Sequence, residues 1–168
     1  MIRIVIAEKQ QMLLGTIGSL LNLEEDMEVV GQVSNRMEVI HLVHQLQPNI
    51  CILDIDLDGE SGLELAEELK ELGCKIIVMT TFARNGYDKR ALQVGVNGYL
   101  LKDSPSEVLA CSIRSVMAGK QVYEPELMEK ANEDEIVIDE KVHEHNHAIG
   151  TVKAYFSTIM DKMKLPTG

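Results

Sequence analysis

The stretch Asn49-Ile50-Cys51-Ile52-Leu53-Asp54-Ile55-Asp56-Leu57-Asp58-Gly59-Glu60-Ser61-Gly62 decides the fold. Ile50 to Leu53 is short, wholly apolar and rich in β-branched residues, which predicts a strand buried on both faces. It ends abruptly in the carboxylate of Asp54. Two more carboxylates follow at alternate positions, and Gly59 and Gly62 bracket a turn. Leu63, Ala66 and Leu69, with Glu67 and Lys70 opposite, then mark an amphipathic helix. Asp54 therefore stands at the carboxyl end of a buried strand just before a helix, where open α/β sheets hold their ligands.

Several chemistries compete for this stretch. D-x-D-x-D-G opens like an EF-hand loop, but its twelfth position is Leu65 rather than glutamate and a strand precedes it, which rejects that reading. An apolar strand followed by D-x-D also resembles the haloacid-dehalogenase-type phosphatases, although Asp58 stands where they place threonine or valine. A solvated acidic turn explains Asp56 and Asp58 but not Asp54. The remaining reading is an aspartyl phospho-acceptor, and the rest of the chain selects it.

Upstream, Ile2 to Ala7 reads as a strand ended by Glu8, and Met12, Leu13, Leu14, Ile17, Leu20 and Leu21 follow at helical spacing. Met27 to Val33 reads as a second strand. Asn35 caps a helix carrying Met37, Ile40, Val43 and Leu46, which Pro48 stops. Downstream, Ile76 to Met79 is a fourth strand ending in Thr80-Thr81, and Asn85 to Val94 a helix closed by Gly95. Tyr99-Leu100-Leu101 is a fifth strand ending in Lys102. Ser104-Pro105-Ser106-Glu107 reads as a capping box with proline at the first helical position. That helix runs through Leu109, Ile113, Val116 and Met117 to Gly119. Five strands alternating with five helices predict a parallel sheet. Such a sheet brings Glu8, Asp54, Thr80 and Lys102 to one edge: two acids, a hydroxyl and an ammonium.

Composition sets the outer limits. A length of 168 residues allows one domain and an appendage, and 45% apolar residues suffice for a core. A net charge of −11 argues against sequence-independent nucleic-acid binding by the whole chain. Cys51, Cys74 and Cys111 are widely spaced and read as reduced core residues. No segment approaches a membrane span or a signal peptide, so the expectation is a soluble cytoplasmic protein without membrane contact.

On these residues, 1–120 resembles the receiver domain of a two-component response regulator. The segments IAEKQQMLL, CILDIDLDGESGLELAEEL, IIVMTTFAR and GYLLKDSPSEVLACSIRSVMAGK resemble the NarL/LuxR class and, within it, DesR-like regulators. The resemblance implies an α/β doubly wound, flavodoxin-like sheet of five parallel strands in the order 2-1-3-4-5, with a helical C-terminal appendage. It implies Asp54 as the residue phosphorylated by a sensor histidine kinase and Lys102 as the contact to the phosphoryl group. It implies Thr80 as the hydroxyl that binds that group and Tyr99 as the aromatic that reorients with it. Glu8 and Asp54, with the backbone carbonyl of Asp56, are implied as ligands of Mg²⁺. A carboxylate attacks phosphorus only when charge on the phosphoryl oxygens is neutralised, which suits an oxygen-liganded Mg²⁺ and a lysine.

Two positions depart from that pattern. Lys9 stands where the family has a second acid, so Glu8 and Asp54 face Lys9 and Lys102. Lys9 either pairs with Asp54 in place of the metal or extends into solvent. The first reading gives a phosphorylation-independent pseudo-receiver acting as an interaction or dimerisation module. The second gives a working phospho-acceptor controlling transcription through DNA. Asp58 stands where the family has proline. The resemblance further implies a homodimer through the first and fifth helices, with Met12, Leu13, Ile17, Ile113, Val116 and Met117 as its apolar surface.

Beyond residue 120 the chain changes character. QVYEPELMEK resembles the family's short linker helix, and residues 121–149 read as an acidic linker. From Glu126 to Glu144, eight acids oppose only Lys130 and Lys141. His143, His145 and His147 read as an exposed polar turn rather than a metal site. Val152, Tyr155, Phe156, Ile159, Met160 and Met163 then form an amphipathic helix over 150–168. GTVKAYFSTIMDKMKL resembles the recognition helix of a LuxR-type helix-turn-helix. The helices that should hold it in a DNA groove are missing or shortened, so this tail is either a truncated DNA-binding domain or a helix reused for packing.

Overall fold

A computed structural model describes residues 1–128. The expected linker beyond Met128, the histidine turn and the amphipathic helix over 150–168 lie outside the described residues.

Alternating strands and helices run through the described part: β1 (Ile2–Ala7), α1 (Gln11–Leu21), β2 (Met27–Val33), α2 (Arg36–Leu46) and β3 (Ile50–Asp54). A two-residue hairpin, β4 (Asp56–Leu57) and β5 (Glu60–Ser61), leads into α3 (Gly62–Lys70). Then come β6 (Lys75–Thr80), α4 (Tyr87–Val94), β7 (Gly98–Leu101), α5 (Ser106–Met117), β8 (Val122–Tyr123) and a short 3₁₀ turn (Pro125–Leu127). The main sheet is parallel throughout, in the order β2-β1-β3-β6-β7-β8. Its first five members are the five expected strands in the expected order. The sixth is an addition.

Period-two alternation along the buried strands divides the core between the two faces. Val5, Cys51, Leu53, Ile76, Val78 and Tyr99 pack on one side with Val39, Val43, Leu63, Ala66, Leu69 and Ala91 of α2, α3 and α4. Ile4, Ile6, Ile50, Ile52, Ile77 and Leu100 pack on the other with Leu14, Ile17, Leu21, Leu109, Ile113 and Val116 of α1 and α5. Each fully buried aliphatic side chain contributes about 1.5–3 kcal/mol. This packing corrects the expected dimer surface. Ile17, Ile113 and Val116 belong to the core, Leu13 and Met117 are half-buried against it, and only Met12, 82% exposed, stands free of it.

The helix ends explain how the chain turns at the sheet edge. Asn35 accepts from the Glu38 amide at 3.0 Å, as its position predicts. Gly95 adopts φ +70° at the close of α4. Ser104, read as the cap of α5, is not one: Pro105 takes the capping position and the Ser104 hydroxyl donates to Glu124 instead. The stretch expected to begin the linker belongs to the sheet. Val122 pairs with Gly98, Glu124 N donates to Tyr99 O at 3.0 Å, the Tyr123 hydroxyl donates to Val96 O at 2.5 Å, and Leu127 is buried. Cys51 and Cys74 are buried as expected, whereas Cys111 lies on the exposed face of α5.

The turn after β3 is shaped by two residues. Asp58 adopts φ +55°, a left-handed conformation that aspartate tolerates and proline cannot reach, and its Oδ2 accepts from Arg36 N at 3.1 Å. Gly62 lies against β3: a Cβ there would fall 2.3 Å from Asp54 O.

Candidate functional site

β1 pairs with β3 up to Ala7 and Leu53, so Glu8 and Asp54 emerge side by side. Thr80 pairs with Leu101, and Lys102 N donates to Thr80 O at 2.7 Å, which places Lys102 at the same edge. The sheet therefore gathers Glu8, Asp54, Thr80 and Lys102 as their positions at strand ends predict. All are buried.

The contacts among them are specific. Lys102 Nζ lies 2.8 Å from Glu8 Oε2 and 2.9 Å from Asp54 Oδ1. Glu8 Oε1 accepts from Gln10 N at 2.9 Å, and Asp54 Oδ1 accepts from Asp56 N at 3.0 Å. Burial pushes the Glu8 carboxyl above the usual carboxylate range, against the opposing hydrogen bond from Lys102. Asp54 Oδ2 is buried with no hydrogen-bond partner among the described residues. A buried carboxylate oxygen without a hydrogen bond carries a large desolvation cost and is available to an electrophile or a cation.

Thr80 and Tyr99 are both fully buried. The Thr80 hydroxyl donates to Phe82 O at 3.0 Å, so it engages the loop after β6 rather than Asp54. Tyr99 is fully buried on the α4 face of the sheet, and its hydroxyl has no partner among the described residues. Burial pushes this phenol up to about 12.

Lys9 does not pair with Asp54. It is exposed, and the cation on Asp54 is Lys102. Lys9 lies just past the end of β1, where the chain leaves the sheet for α1, so its long side chain reaches water. Its charge is felt at Asp56. That acid, expected to contribute through its backbone carbonyl, is held by Arg84, whose hydrogen bonds keep the Asp56 carboxyl below the usual carboxylate range. Sequence reasoning alone gives Arg84 no role. The signal available was an arginine flanked by Phe82 and Tyr87 within a few residues of Thr80.

The donor set fits Mg²⁺. No group of three His, Cys, Asp or Glu side chains is close enough to hold a metal among the described residues. Mg²⁺ does not require one, because it keeps several waters and takes one or two carboxylates. The Asp54 and Glu8 carboxylates would supply those, with the Asp56 carbonyl close by in sequence.

A doubly wound parallel sheet with a buried aspartate, a lysine and a hydroxyl at its carboxyl edge defines a receiver-type phospho-acceptor module. Comparison with known proteins agrees. The family model for the response regulator receiver domain matches residues 4–114, and the chain belongs to that family. The transcriptional regulatory protein DesR of Bacillus subtilis is 52% identical over an alignment that covers 98% of this chain and 92% of DesR. That alignment spans 182 positions, more than the 168 residues of this chain, so it contains gaps on this side. A crystal structure of a DNA-binding response regulator of the LuxR family from Staphylococcus aureus superposes with a TM-score of 0.65. It is 36% identical and covers 69% of this chain and 98% of its own. The isolated receiver domain of RcsB from Salmonella enterica serovar Typhimurium, crystallised with the phosphomimetic BeF₃⁻, shares the fold at a TM-score of 0.68 and 21% identity. It covers 75% of this chain and 95% of its own. The chain is a two-component response regulator of the NarL/LuxR class. No helix among the described residues is long and apolar enough to cross a membrane.

Proposed function

We propose that the chain accepts a phosphoryl group on Asp54 from a sensor histidine kinase and passes the signal on to transcription. The unpartnered Asp54 Oδ2, with Oδ1 occupied by Lys102 and the Asp56 amide, carries this reading. Oδ2 is then the attacking oxygen. Its lone pair forms the new O–P bond as the P–N bond to the kinase histidine breaks, and the imidazole leaves with the electron pair. Lys102, already held against the acceptor, lies ready to meet a phosphoryl oxygen. The Thr80 hydroxyl exchanges Phe82 O for another such oxygen. Glu8, Asp54 and the Asp56 carbonyl would hold Mg²⁺, which would supply positive charge to the transferred group. Lys9 in place of a second acid weakens metal binding without entering the pocket. The chain is thus the recipient of the reaction and promotes at most its own phosphorylation and dephosphorylation.

Transcriptional control is the output that the DesR and LuxR-family likeness supports. DNA contact would fall to residues 150–168, after the acidic linker. Self-association through α1 and α5 would use Met12 and the half-buried Leu13 and Met117, with Ile17, Ile113 and Val116 as support beneath. The test is transfer from the phosphohistidine of a sensor kinase. Label passing from kinase to this chain, and not to Asp54→Asn, is expected. Transfer to Asp54→Asn would overturn the assignment.

A further inference from the structure

Arg84 lies in the loop between β6 and α4, four residues beyond Thr80. Its guanidinium makes two parallel hydrogen bonds to the Asp56 carboxylate, Nη1 to Oδ1 at 2.8 Å and Nη2 to Oδ2. The same group lies over the rings of Phe82, at 5.1 Å, and Tyr87, at 5.4 Å. One cation thus joins the turn after β3, the loop after Thr80 and the first residue of α4.

The Asp56 end of this link reaches the acceptor. Asp56 N donates to Asp54 Oδ1, the oxygen that Lys102 also holds. With Oδ1 fixed from two directions, the plane of the carboxylate is set and Oδ2 is the oxygen left over. A simple exposed ion pair does little. This one is two-pronged, backed by two aromatic faces, and partly withdrawn from solvent, with side-chain exposures of 23% for Arg84 and 33% for Asp56. A fork fixes direction as well as distance, which a lysine cannot do.

We propose that Arg84 is a positioning residue for phosphoryl uptake, acting through Asp56 to orient the Asp54 carboxylate. This rests on the phospho-acceptor reading above and names a residue that the reading does not contain.

The test uses the full chain, with acetyl phosphate and Mg²⁺ as donor and cation. Adduct formation is followed by intact mass for the unaltered chain, Arg84→Ala, Arg84→Lys, Asp56→Asn and the double variant Arg84→Ala with Asp56→Asn. Thermal melting confirms that each folds. Arg84→Ala should lower the maximal uptake rate roughly tenfold, as misplacement of a reacting group does, while the half-saturating donor concentration stays put. Arg84→Lys, which keeps the charge and loses the fork, should recover only part of the rate. The double variant should be no slower than the slower single variant, because both break one link. Amide hydrogen exchange on the unphosphorylated proteins should quicken in Arg84→Ala at Ile55–Leu57 and Phe82–Tyr87, with α5 unchanged. Undiminished uptake in Arg84→Ala, or losses that add in the double variant, would overturn the proposal. Should the unaltered chain take no phosphoryl group, the phospho-acceptor reading fails. Hydrogen exchange then decides the link by itself: unchanged exchange at Ile55–Leu57 in Arg84→Ala overturns it, and faster exchange there upholds it.

Discussion

Lys102 Nζ stands 2.9 Å from Asp54 Oδ1, and the same buried ammonium serves Glu8 at 2.8 Å. Replacing it by methionine leaves two carboxylates facing each other in a low-dielectric pocket. Breaking a buried pair in this way costs about 3–5 kcal/mol at neutral pH. Burial already raises Glu8, and removing the cation takes away the hydrogen bond that opposes that rise. A raised carboxyl stabilises the fold below its ordinary range and loses that contribution as pH rises through its folded value. The deficit of Lys102→Met should therefore shrink between about pH 8 and about pH 5. Urea melts of both proteins across that range measure it. A deficit that grows on acidification would contradict the pairing.

Gly62 begins α3 against the back of the acceptor strand, where a Cβ would lie 2.3 Å from Asp54 O. Neither partner is a flexible side chain, so alanine forces a backbone shift. Gly62→Ala should destabilise by about 1–3 kcal/mol, the usual cost of overpacking. It should also disturb phosphorylation, because the carbonyl displaced belongs to the acceptor itself. Melting temperature and adduct rate, measured together, check both effects.

Lys9 is exposed, so substitution there should not disturb the fold. Lys9→Asp exchanges a positive for a negative charge beside Glu8. It should lower the Mg²⁺ concentration that half-saturates phosphorylation roughly tenfold, a scale set by a unit charge near the surface. Adduct rate titrated against Mg²⁺, at constant ionic strength, measures it. An unchanged midpoint would mean that the position is too remote from the metal ligands to matter.

Glu124 couples the loop after Lys102 to the segment that follows β8. It accepts from the Ser104 hydroxyl, and its amide bonds Tyr99 O. Burial raises its carboxyl, opposed by the bond from Ser104. The penalty for ionising Glu124 is absent below the ordinary carboxylate range and grows as pH rises through the folded value. Glu124→Gln keeps an acceptor for Ser104 and removes the ionisation. It should be more stable than the unaltered chain at neutral pH, with the difference vanishing on acidification to about pH 4. Thermal melts against pH test this.

The parts legible in the sequence are those that buried strands dictate. Apolar runs ending in Glu8, Asp54, Thr80 and Lys102 specify both a parallel sheet and its polar edge, because the strand period and the sheet direction leave those side chains one place to go. Other features depend on matters that spacing does not encode. An apolar helical stripe does not say which of its residues cover the sheet, so Ile17, Ile113 and Val116 read equally well as surface and proved to be core. Lys9 occupies a pocket position by count, yet a long side chain at the sheet's end escapes to water. β8 is two residues long, too short for any periodicity, and is held by its register against Gly98 and Tyr99. The pairing of Arg84 with Asp56 is hidden because the two residues lie 28 apart in sequence.

The central claim is that Asp54 takes a phosphoryl group through the oxygen that the fold leaves unpartnered. The most direct measurement is the intact mass of the full chain after incubation with acetyl phosphate, with and without Mg²⁺, beside Asp54→Asn. The expected result is one phosphoryl adduct that requires both Mg²⁺ and Asp54. Absence of an adduct on the unaltered chain under every condition, or an adduct that persists in Asp54→Asn, would contradict it.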